Sequence, residues 1–344
     1  MSSADLSATT QNLSPTKFLN QMLTGYWLSQ ALYVAAKLGL PDLLESGVKR
    51  PEDLARATGT HPEALYRLLR ALASVGVFSE RPDGSFVQTP LSSGLRSPPA
   101  GGQRAMAIMM GEEHYRAWGE LLYSVRTGKP AFDHLFGKPI FEYLAEHPEQ
   151  ARTFDDAMTG VHGAETRAML NAYDFSRIGT LVDVGGGNGS LLSVVLQQHT
   201  AMKGILFDRP DVVENARGNL RRAGVDARCT LIGGNFFESA PPGGDAYLLR
   251  HIIHDWDDAQ SLTILRNARK AMKPKSRLLV VESVIPPGNN PFFGKLLDLA
   301  MLVLPGGQER TEAKYGQLFT AAGFRLSRIV PADQEVSVIE GEPV

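Results

Sequence analysis

The chain is poor in cysteine: Cys229 is the only one. A single cysteine excludes an internal disulfide and a metal site made of several thiolates. Disulfides are typical of oxidising compartments, so a chain that can form none internally fits a reducing one. The composition therefore predicts a cytoplasmic protein.

Neither sign of charge is in excess. Lys and Arg number 35 and Asp and Glu number 37, which leaves a formal net charge of -2 at pH 7. A protein that binds nucleic acid through its phosphates needs a surplus of basic side chains, and this composition offers none. The share of hydrophobic residues (43%) and of charged residues (21%) is typical of a soluble globular protein, and the length of 344 residues predicts about two domains.

Long apolar runs are missing as well. No stretch approaches the ~20 residues that a membrane-spanning helix needs. The N-terminus has no basic region followed by an apolar one, so it does not resemble a secretory signal. Residues 1–14 are polar and rich in Ser and Thr, which predicts a flexible N-terminus. We therefore expect no membrane partner.

The pattern of residues 15–105 predicts a helical N-terminal domain that contains a winged helix. Bulky apolar side chains recur at three- and four-residue intervals in residues 15–39, and this stripe lies either in the core or against a partner helix. Residues 51–90 predict two short helices followed by two short strands around Asp83 and Gly84.

Winged helices often bind DNA, but the second helix carries only Arg67 and Arg70 among mostly apolar positions. Packing or dimerisation is therefore the favoured role for this domain. Because the apolar stripe is unusually bulky, we expect a homodimer that forms through residues 15–125.

The pattern changes between residues 165 and 180. Residues 106–175 predict mostly helix, with a loop between Gly128 and Gly137. From Leu181 onward, short apolar runs bounded by Gly, Pro or Asp alternate with helical stretches, which is typical of βαβ units. Residues 176–344 therefore predict an α/β domain with a Rossmann-like, doubly wound parallel sheet.

A glycine-rich turn follows the first strand of this domain and indicates a nucleoside cofactor. Gly185, Gly187 and Gly189 allow a tight turn and a close approach of a ligand to the backbone. A dinucleotide fingerprint needs its third glycine at position 190, where this chain has Ser190, so a nicotinamide dehydrogenase is disfavoured. The GxGxG spacing is instead typical of S-adenosylmethionine sites.

The next two strands end in residues that suit the same cofactor. Asp208 ends the second strand, where a carboxylate can accept hydrogen bonds from both ribose hydroxyls. Asn235 and Phe236 end the third, where an amide edge and an aromatic face can meet adenine. Phe237 is as easily a core residue.

Six motifs make the pattern specific. GGGNG, FDRP, GGNFFE, HDW, VVESVIP and GGQERT stand in the order and spacing of the caffeic-acid or acetylserotonin type of O-methyltransferase, which the chain resembles over nearly its whole length. The resemblance implies a methyltransferase sheet, a winged-helix dimerisation domain, S-adenosylmethionine as cofactor and S-adenosylhomocysteine as product, and no metal. It also implies a hydroxylated, mainly aromatic small-molecule acceptor from secondary metabolism.

The resemblance also implies roles for individual residues. His254 of HDW matches the family's general base, and Glu282 and Glu309 match two glutamates that frame it. Gly185, Asp208, Asn235, Phe236 and Arg250 match cofactor contacts. Two of these depart from the common pattern, since many members have Asp at position 235 and Lys at position 250.

The chemistry agrees with these roles. Methyl transfer from a sulfonium has an activated leaving group, so the protein chiefly positions and deprotonates the nucleophile. A histidine becomes a stronger base when carboxylates hold its other ring nitrogen.

Two residues near His254, His251 and Asp255, allow other interpretations of their roles. His251 and His254 are also spaced as a metal pair, but no third ligand stands at metal spacing. We expect Asp255 to cap the following helix or to orient Arg250.

The acceptor pocket is expected to combine the helical segment with the last part of the sheet domain. Family members often clamp an aromatic acceptor with methionines, which favours Met158 and Met301, although core packing explains a methionine equally well. The other candidates are Trp118, Phe154, His162 and Asp298.

Two further functions stay open beside methyl transfer. A member of this fold can keep the cofactor and change its chemistry to hydroxylation or decarboxylation, but retention of His254, Glu282 and Glu309 argues against that. A non-enzymatic DNA-binding regulator built on the winged helix is disfavoured by its weakly basic second helix.

Overall fold

The computed structural model describes residues 14–97, 102–333 and 335–344, without the side chains of residues 161, 162 and 164. Most of the segment predicted to be flexible, residues 1–14, lies outside this range. The chain divides into two compact units: Met1–Gly119 with Leu144–Val161, and Glu120–Tyr143 with His162–Val344. The domain boundaries predicted at residues 105 and 175 stay a prediction, because compactness alone does not define an independently folding domain.

The first unit begins with helices whose starts are set by proline. The apolar stripe of residues 15–39 lies on two helices that meet at Thr24, whose hydroxyl bonds back to the Asn20 carbonyl oxygen at 2.8 Å and is followed by Gly25. Proline opens several of these helices, where its missing N–H costs nothing. The helices are Pro15–Leu23, Gly25–Lys37, Leu40–Leu43, Pro51–Thr58, Pro62–Ser74, Pro90–Ser93, Arg104–Gly111 and Glu113–Trp118.

The winged helix is confirmed by a hairpin after the second of its helices. Strands β1 (Phe78–Glu80) and β2 (Phe86–Gln88) pair antiparallel. The turn between them is stabilised by Asp83, whose Oδ1 accepts the Ser85 N–H at 3.1 Å. Phe78 and Phe86 are fully buried, so the hairpin belongs to the core of this unit.

A second helical stretch leads to the sheet, and one prediction within it was wrong. The segment between Gly128 and Gly137 forms a helix instead of a loop, because Phe132 is fully buried and packs on Phe136 with ring centroids 4.4 Å apart. The helices of this stretch are Leu121–Thr127, Ala131–Phe136, Ile140–Glu146 and Pro148–Ala172.

The second unit contains a seven-stranded sheet in the order β5-β4-β3-β6-β7-β9-β8. Strands β3 to β7 are parallel, and β9 and β8 add an antiparallel edge that the sequence analysis did not predict. The strands are β3 (Thr180–Val184), β4 (Lys203–Asp208), β5 (Cys229–Gly233), β6 (Ala246–Arg250), β7 (Arg277–Glu282), β8 (Phe324–Pro331) and β9 (Ser337–Pro343).

Helices cover both faces of this sheet, which confirms the doubly wound fold. Successive strand residues point to opposite faces, so Leu181 joins one buried cluster and Val182 the other. The covering helices are Ser190–Gln198, Pro210–Arg222, Asp258–Ala271, Gly294–Val303 and Glu312–Ala322. In a sheet of this kind ligands bind at the carboxyl ends of the parallel strands.

Within residues 14–97, 102–333 and 335–344, no helix is both long and apolar enough to span a bilayer.

Candidate active site

The turn after β3 is shaped by glycines in left-handed conformations. Gly185 has φ +72°, and a Cβ there would lie 2.3 Å from the Cδ1 of Ile252. Gly187 has φ +55°, and a Cβ there would meet nothing within 4 Å. The turn therefore packs against its own fold at Gly185 and leaves open space above Gly187, where a ligand can approach the backbone.

Asp208 stabilises this turn from the end of β4. Its Oδ2 accepts the Gly187 N–H at 2.8 Å and its Oδ1 accepts the Arg209 N–H at 2.7 Å. Burial raises the pKa of Asp208, while these two backbone donors lower it. The carboxylate is thus held at the mouth of the glycine turn, and its role in binding ribose stays a prediction.

Asn235 and Phe236 follow β5, which pairs with β4 on the side away from β3. The Oδ1 of Asn235 accepts the Phe237 N–H at 3.0 Å and its Nδ2 donates to Glu238 Oε1 at 3.2 Å, and the residue is exposed at the strand end. The Phe236 ring contacts Phe237 and Trp256 edge to face, with centroids 4.9 and 6.0 Å apart. An exposed amide beside an aromatic cluster suits a flat heterocycle.

Arg250 ends β6, on the other side of β3. Its Nη1 donates to the Thr166 Oγ1 at 2.8 Å and lies 4.0 Å from Glu165 Oε1. Burial lowers the pKa of Arg250, while Glu165 and Asp183 raise it. Burial also raises the pKa of Asp183, which lies in β3 just before the turn, to about 7.

These groups follow the strand order. Asn235, Asp208, the glycine turn and Arg250 end β5, β4, β3 and β6, which are neighbours in that order. An elongated ligand laid along the sheet edge would meet an amide, a carboxylate, bare backbone and a guanidinium in turn.

His254 lies beyond Arg250 in a short 3₁₀ turn, Ile253–Asp255, and is buried. Its Nδ1 lies 2.7 Å from Glu309 Oε1, and its Nε2 lies 3.5 Å from Asp255 Oδ1. The first contact is a strong hydrogen bond, while the second is too long for one. The Glu309 bond places the Nδ1 proton, so Nε2 is the ring atom that can exchange a proton.

Glu282 holds the backbone of this turn and not the imidazole. Its Oε1 accepts the N–H groups of Ile253 at 2.6 Å and of His254 at 3.1 Å, and its Oε2 accepts the Tyr315 hydroxyl at 2.6 Å. Burial and the adjacent carboxylate raise the pKa of Tyr315 well above its ordinary value. The two glutamates predicted to frame His254 therefore act on different parts of it.

The carboxylates around His254 favour its charged form. Burial alone lowers the pKa of an imidazole, but Asp255, Glu309 and Glu282 outweigh burial and raise the pKa of His254 to about 10. Burial raises the pKa of Asp255 to about 6, against the imidazoles of His254 and His251.

The loop that carries Glu309 is tied closely to His254. Gln308 donates its N–H to the His254 carbonyl oxygen at 2.9 Å, and a Cβ on Gly307 would lie 1.9 Å from that oxygen. Asp298 Oδ1 accepts the Glu309 N–H at 2.8 Å. A glycine at 307 and a carboxylate at 298 therefore set how Glu309 reaches the imidazole.

Comparison with known proteins agrees with this geometry. The O-methyltransferase domain profile matches residues 118–325, and the O-methyltransferase dimerisation domain profile matches residues 20–97. The chain belongs to the O-methyltransferase family. The resemblance inferred from the six motifs is thus confirmed.

Two relatives and one solved structure illustrate the range of this O-methyltransferase family. Phenazine O-methyltransferase PhzM of Lysobacter antibioticus is 48% identical over 96% of this chain and 96% of its own. The 8-amino-8-demethylriboflavin N,N-dimethyltransferase of Streptomyces davaonensis is 40% identical over 90% of each. The structure of human N-acetylserotonin methyltransferase with S-adenosylmethionine has a TM-score of 0.88 at 28% identity and covers 96% of this chain and 99% of its own.

The predicted acceptor residues of this O-methyltransferase fall into both compact units. Trp118, Phe154 and Met158 belong to the first unit and are partly buried. Met301 is buried in the second, and Asp298 bonds to the Glu309 backbone. The side chain of His162 lies outside the described residues. Their convergence on one acceptor stays a prediction.

The expectation that Asp255 caps the following helix was wrong, while its alternative, that Asp255 orients Arg250, stays a prediction. The helix Asp258–Ala271 is capped by Asp257, whose Oδ1 accepts the Gln260 N–H at 2.8 Å. Asp255 instead faces His254 Nε2. Three aspartates in the stretch after His254 offer equivalent caps by sequence, so only the path of the backbone distinguishes them.

Sequence reasoning also missed Arg310, the residue after Glu309. It is fully buried and donates to the carbonyl oxygens of Ile253 at 3.0 Å and Trp256 at 2.9 Å and to Asp258 at 2.9 Å. Arg310 therefore stabilises the turn that carries His254 by bonding to its backbone carbonyl oxygens. Its place in the GGQERT motif was a signal that could have found it.

Among the residues described by the structure, no group of three or more His, Cys, Asp or Glu side chains could hold a metal ion.

Proposed function

We propose that this chain is an S-adenosylmethionine-dependent O-methyltransferase that methylates a hydroxyl of a small aromatic secondary metabolite. The observation that carries the proposal is the 2.7 Å bond between His254 Nδ1 and Glu309, which leaves Nε2 of a buried imidazole for proton exchange. Methyl transfer requires the protein to position the two reactants and to remove the proton of the hydroxyl.

The residues at the sheet edge fit the cofactor. A Cβ at Gly185 would collide with Ile252, and the space above Gly187 is open, so the turn offers bare backbone to a ligand at Gly187. Asp208 would hold the ribose, Asn235 and Phe236 the adenine, and Arg250 the amino-acid carboxylate. When bound, S-adenosylmethionine supplies an activated methyl group. The substitutions of Asn for Asp and Arg for Lys preserve hydrogen bonding and charge, so we expect cofactor binding to survive them.

His254 acts as the general base in this proposal. Glu309 fixes the ring and its tautomer, Glu282 fixes the turn through two backbone N–H groups, and Nε2 takes the hydroxyl proton. The imidazolium formed is stabilised by the same carboxylates that raise the pKa of His254. His254 must be neutral before it can accept a proton, so activity should increase with pH.

The acceptor class is supported by the names of relatives. The relatives act on a phenazine hydroxyl and on a riboflavin amine, both on flat aromatic rings. A histidine base suits a hydroxyl, which has a proton to remove before methylation. We keep the six acceptor residues named from the sequence as proposed contacts.

The experiment begins with calorimetric titration of the purified protein with S-adenosylmethionine, S-adenosylhomocysteine and, as a control, NADH. Binding of both sulfur ligands and not of NADH supports the proposal. Incubation with S-adenosylmethionine and 1-hydroxyphenazine should then yield the methyl ether by mass spectrometry. Binding of the cofactor with a hydroxylated or decarboxylated product would favour altered chemistry. Absence of cofactor binding together with salt-sensitive DNA binding would favour the regulator.

We also propose a homodimer formed by the N-terminal helices, in a cytoplasmic protein. Leu23, Tyr26 and Trp27 expose 64%, 51% and 62% of their surface, on helices that fall within the matched dimerisation domain. Clusters of exposed bulky apolar groups favour association. Light scattering at micromolar concentration should give twice the monomer mass, and Trp27→Glu should shift it toward monomer. A monomeric wild type would reject the dimer.

A further inference from the structure

A compact group of charges surrounds Arg250 at the end of β6. Glu165 and Thr166 are consecutive residues of the helix Pro148–Ala172, and both are buried. Thr166 accepts a hydrogen bond from Arg250 at 2.8 Å, and Glu165 Oε1 lies 4.0 Å from the same guanidinium nitrogen. The other oxygen of Glu165 lies 2.9 Å from His251 Nε2. The helix therefore sets a carboxylate directly beside the guanidinium.

His251 lies in the left-handed region of the backbone, with φ +53°. This conformation is uncommon for residues other than glycine, although histidine adopts it more often than most. It persists where neighbouring contacts hold the residue in place. The bond to Glu165 is one such contact, and it orients the Glu165 carboxylate in return.

A second buried carboxylate lies under the glycine turn. Asp183 is 2% exposed, and its Oδ2 makes no hydrogen bond within the part of the chain that the structure describes. A Cβ on Gly186 would lie 2.8 Å from this oxygen, which places it at the turn itself. The Asp183 charge also acts on Arg250. Two carboxylates and one guanidinium thus share this corner, with His251 beside them.

The charged group formed by Glu165, Asp183 and Arg250 lies at one end of the sheet edge along which the ligand is expected to lie. Asp208, the proposed ribose acid, is on β4, while Arg250 is on β6, and β3 with its glycine turn lies between them. A ligand with its ribose at Asp208 therefore extends its amino-acid end toward Arg250. That end is a zwitterion, with a carboxylate and an ammonium on one carbon, and a guanidinium alone recognises only half of it.

We propose that Glu165 binds the α-ammonium of the cofactor while Arg250 binds its α-carboxylate, so that the two side chains recognise the zwitterion as a pair. The inference rests on the proposed cofactor. Glu165 is kept in position by His251, whose Nε2 lies 2.9 Å from its Oε2. A ligand without the ammonium makes no ionic contact with Glu165.

The test measures ligand affinity by calorimetry and requires no acceptor. Three probes are used: S-adenosylhomocysteine, its decarboxylated form, which keeps the ammonium, and methylthioadenosine, which lacks both charged groups. Glu165→Gln should weaken the first two probes by roughly tenfold or more and leave methylthioadenosine unchanged. Arg250→Met should weaken S-adenosylhomocysteine and spare the decarboxylated form. Glu214→Gln, on an exposed helix surface, is the matched control and should change nothing.

Each outcome decides a separate question. Wild-type affinity for S-adenosylhomocysteine in a folded Glu165→Gln variant would overturn the role of Glu165. An equal loss of methylthioadenosine binding would do so too, because it would indicate a general distortion. Thermal denaturation shows whether Glu165→Gln is folded. If it is not, Glu165→Asp is used instead, because it keeps the charge one methylene further back. That variant should show the same selective loss to a smaller degree. If wild type binds none of the probes, the cofactor proposal fails instead.

Discussion

The base end and the cofactor edge of the site are built from different materials. At the base end, His254 and its turn are surrounded by three carboxylates: Asp255 from the turn itself, and Glu282 and Glu309 from two other segments. At the cofactor edge, backbone N–H groups and left-handed glycines form the surface, and Asp208 braces them from the next strand. The base end is buried, while Asp208 and the turn are only partly so.

This difference predicts which property of the enzyme a substitution at each end alters. The base end depends on charge and on side-chain geometry, so changes there should alter catalysis and its pH dependence while leaving the cofactor bound. The cofactor edge depends on backbone shape, so changes there should alter affinity. Separate measurements of rate and affinity therefore test whether the two ends of the site differ in this way.

The largest effect is expected from His254→Ala. Loss of the base should lower kcat by roughly 10²–10⁴-fold, since general-base catalysis contributes about that much. The affinity for S-adenosylmethionine should stay close to that of wild type, because no proposed cofactor contact is removed. Steady-state kinetics and calorimetry check the two parts, with His199→Ala as a control in the same unit. Wild-type turnover would sink the general-base role.

Gly185→Ala tests the opposite end. The new Cβ would have to displace the Ile252 side chain and would strain a left-handed backbone. We expect S-adenosylhomocysteine to bind about tenfold or more weakly. Gly224→Ala is the matched control, since Gly224 has φ +70° but open space around it, so its effect should be on stability alone. Equal affinity in Gly185→Ala and wild type would show that the turn is not the binding surface.

Glu309→Gln should change both rate and pH dependence. Glu309 is one of the groups that raise the pKa of His254, so removing its charge lowers that pKa. Because neutral His254 is the active form, the rise of kcat/KM with pH should move to lower pH by about one unit, and the plateau should fall as the base weakens. A pH series of kcat/KM measures both, beside exposed Glu312→Gln. A shift to higher pH would contradict the assignment.

The smallest effect is expected from Asp298→Asn. The amide oxygen can still accept the Glu309 N–H, so kcat should fall by no more than a few fold. Asp298→Ala removes that bond and should lower kcat by about tenfold with little change in the acceptor KM. A rise in KM without a fall in kcat would instead support the acceptor contact inferred from the sequence.

Much of the fold followed from the sequence because its signals are local. Proline at helix starts and the Asp83–Gly84 turn predicted the winged helix, and βαβ alternation predicted the sheet. The antiparallel β8–β9 edge was missed, since β8 has three exposed positions and the buried part of β9 contains Glu340 and Gly341, which interrupt its apolar pattern. The helix Ala131–Phe136 was missed because burial of Phe132 decides it.

By itself the sequence determined the family, the glycine turn, and the residue types that stand at each strand end. These depend on spacing along the chain and on backbone preferences, which a sequence carries directly. The tertiary structure decided what each charged group touches: Glu309 on the imidazole, Glu282 on the backbone, Asp255 at Nε2, and Glu165 beside Arg250. Those contacts join residues far apart in the chain, so only the packing of the helices and the sheet brings them together.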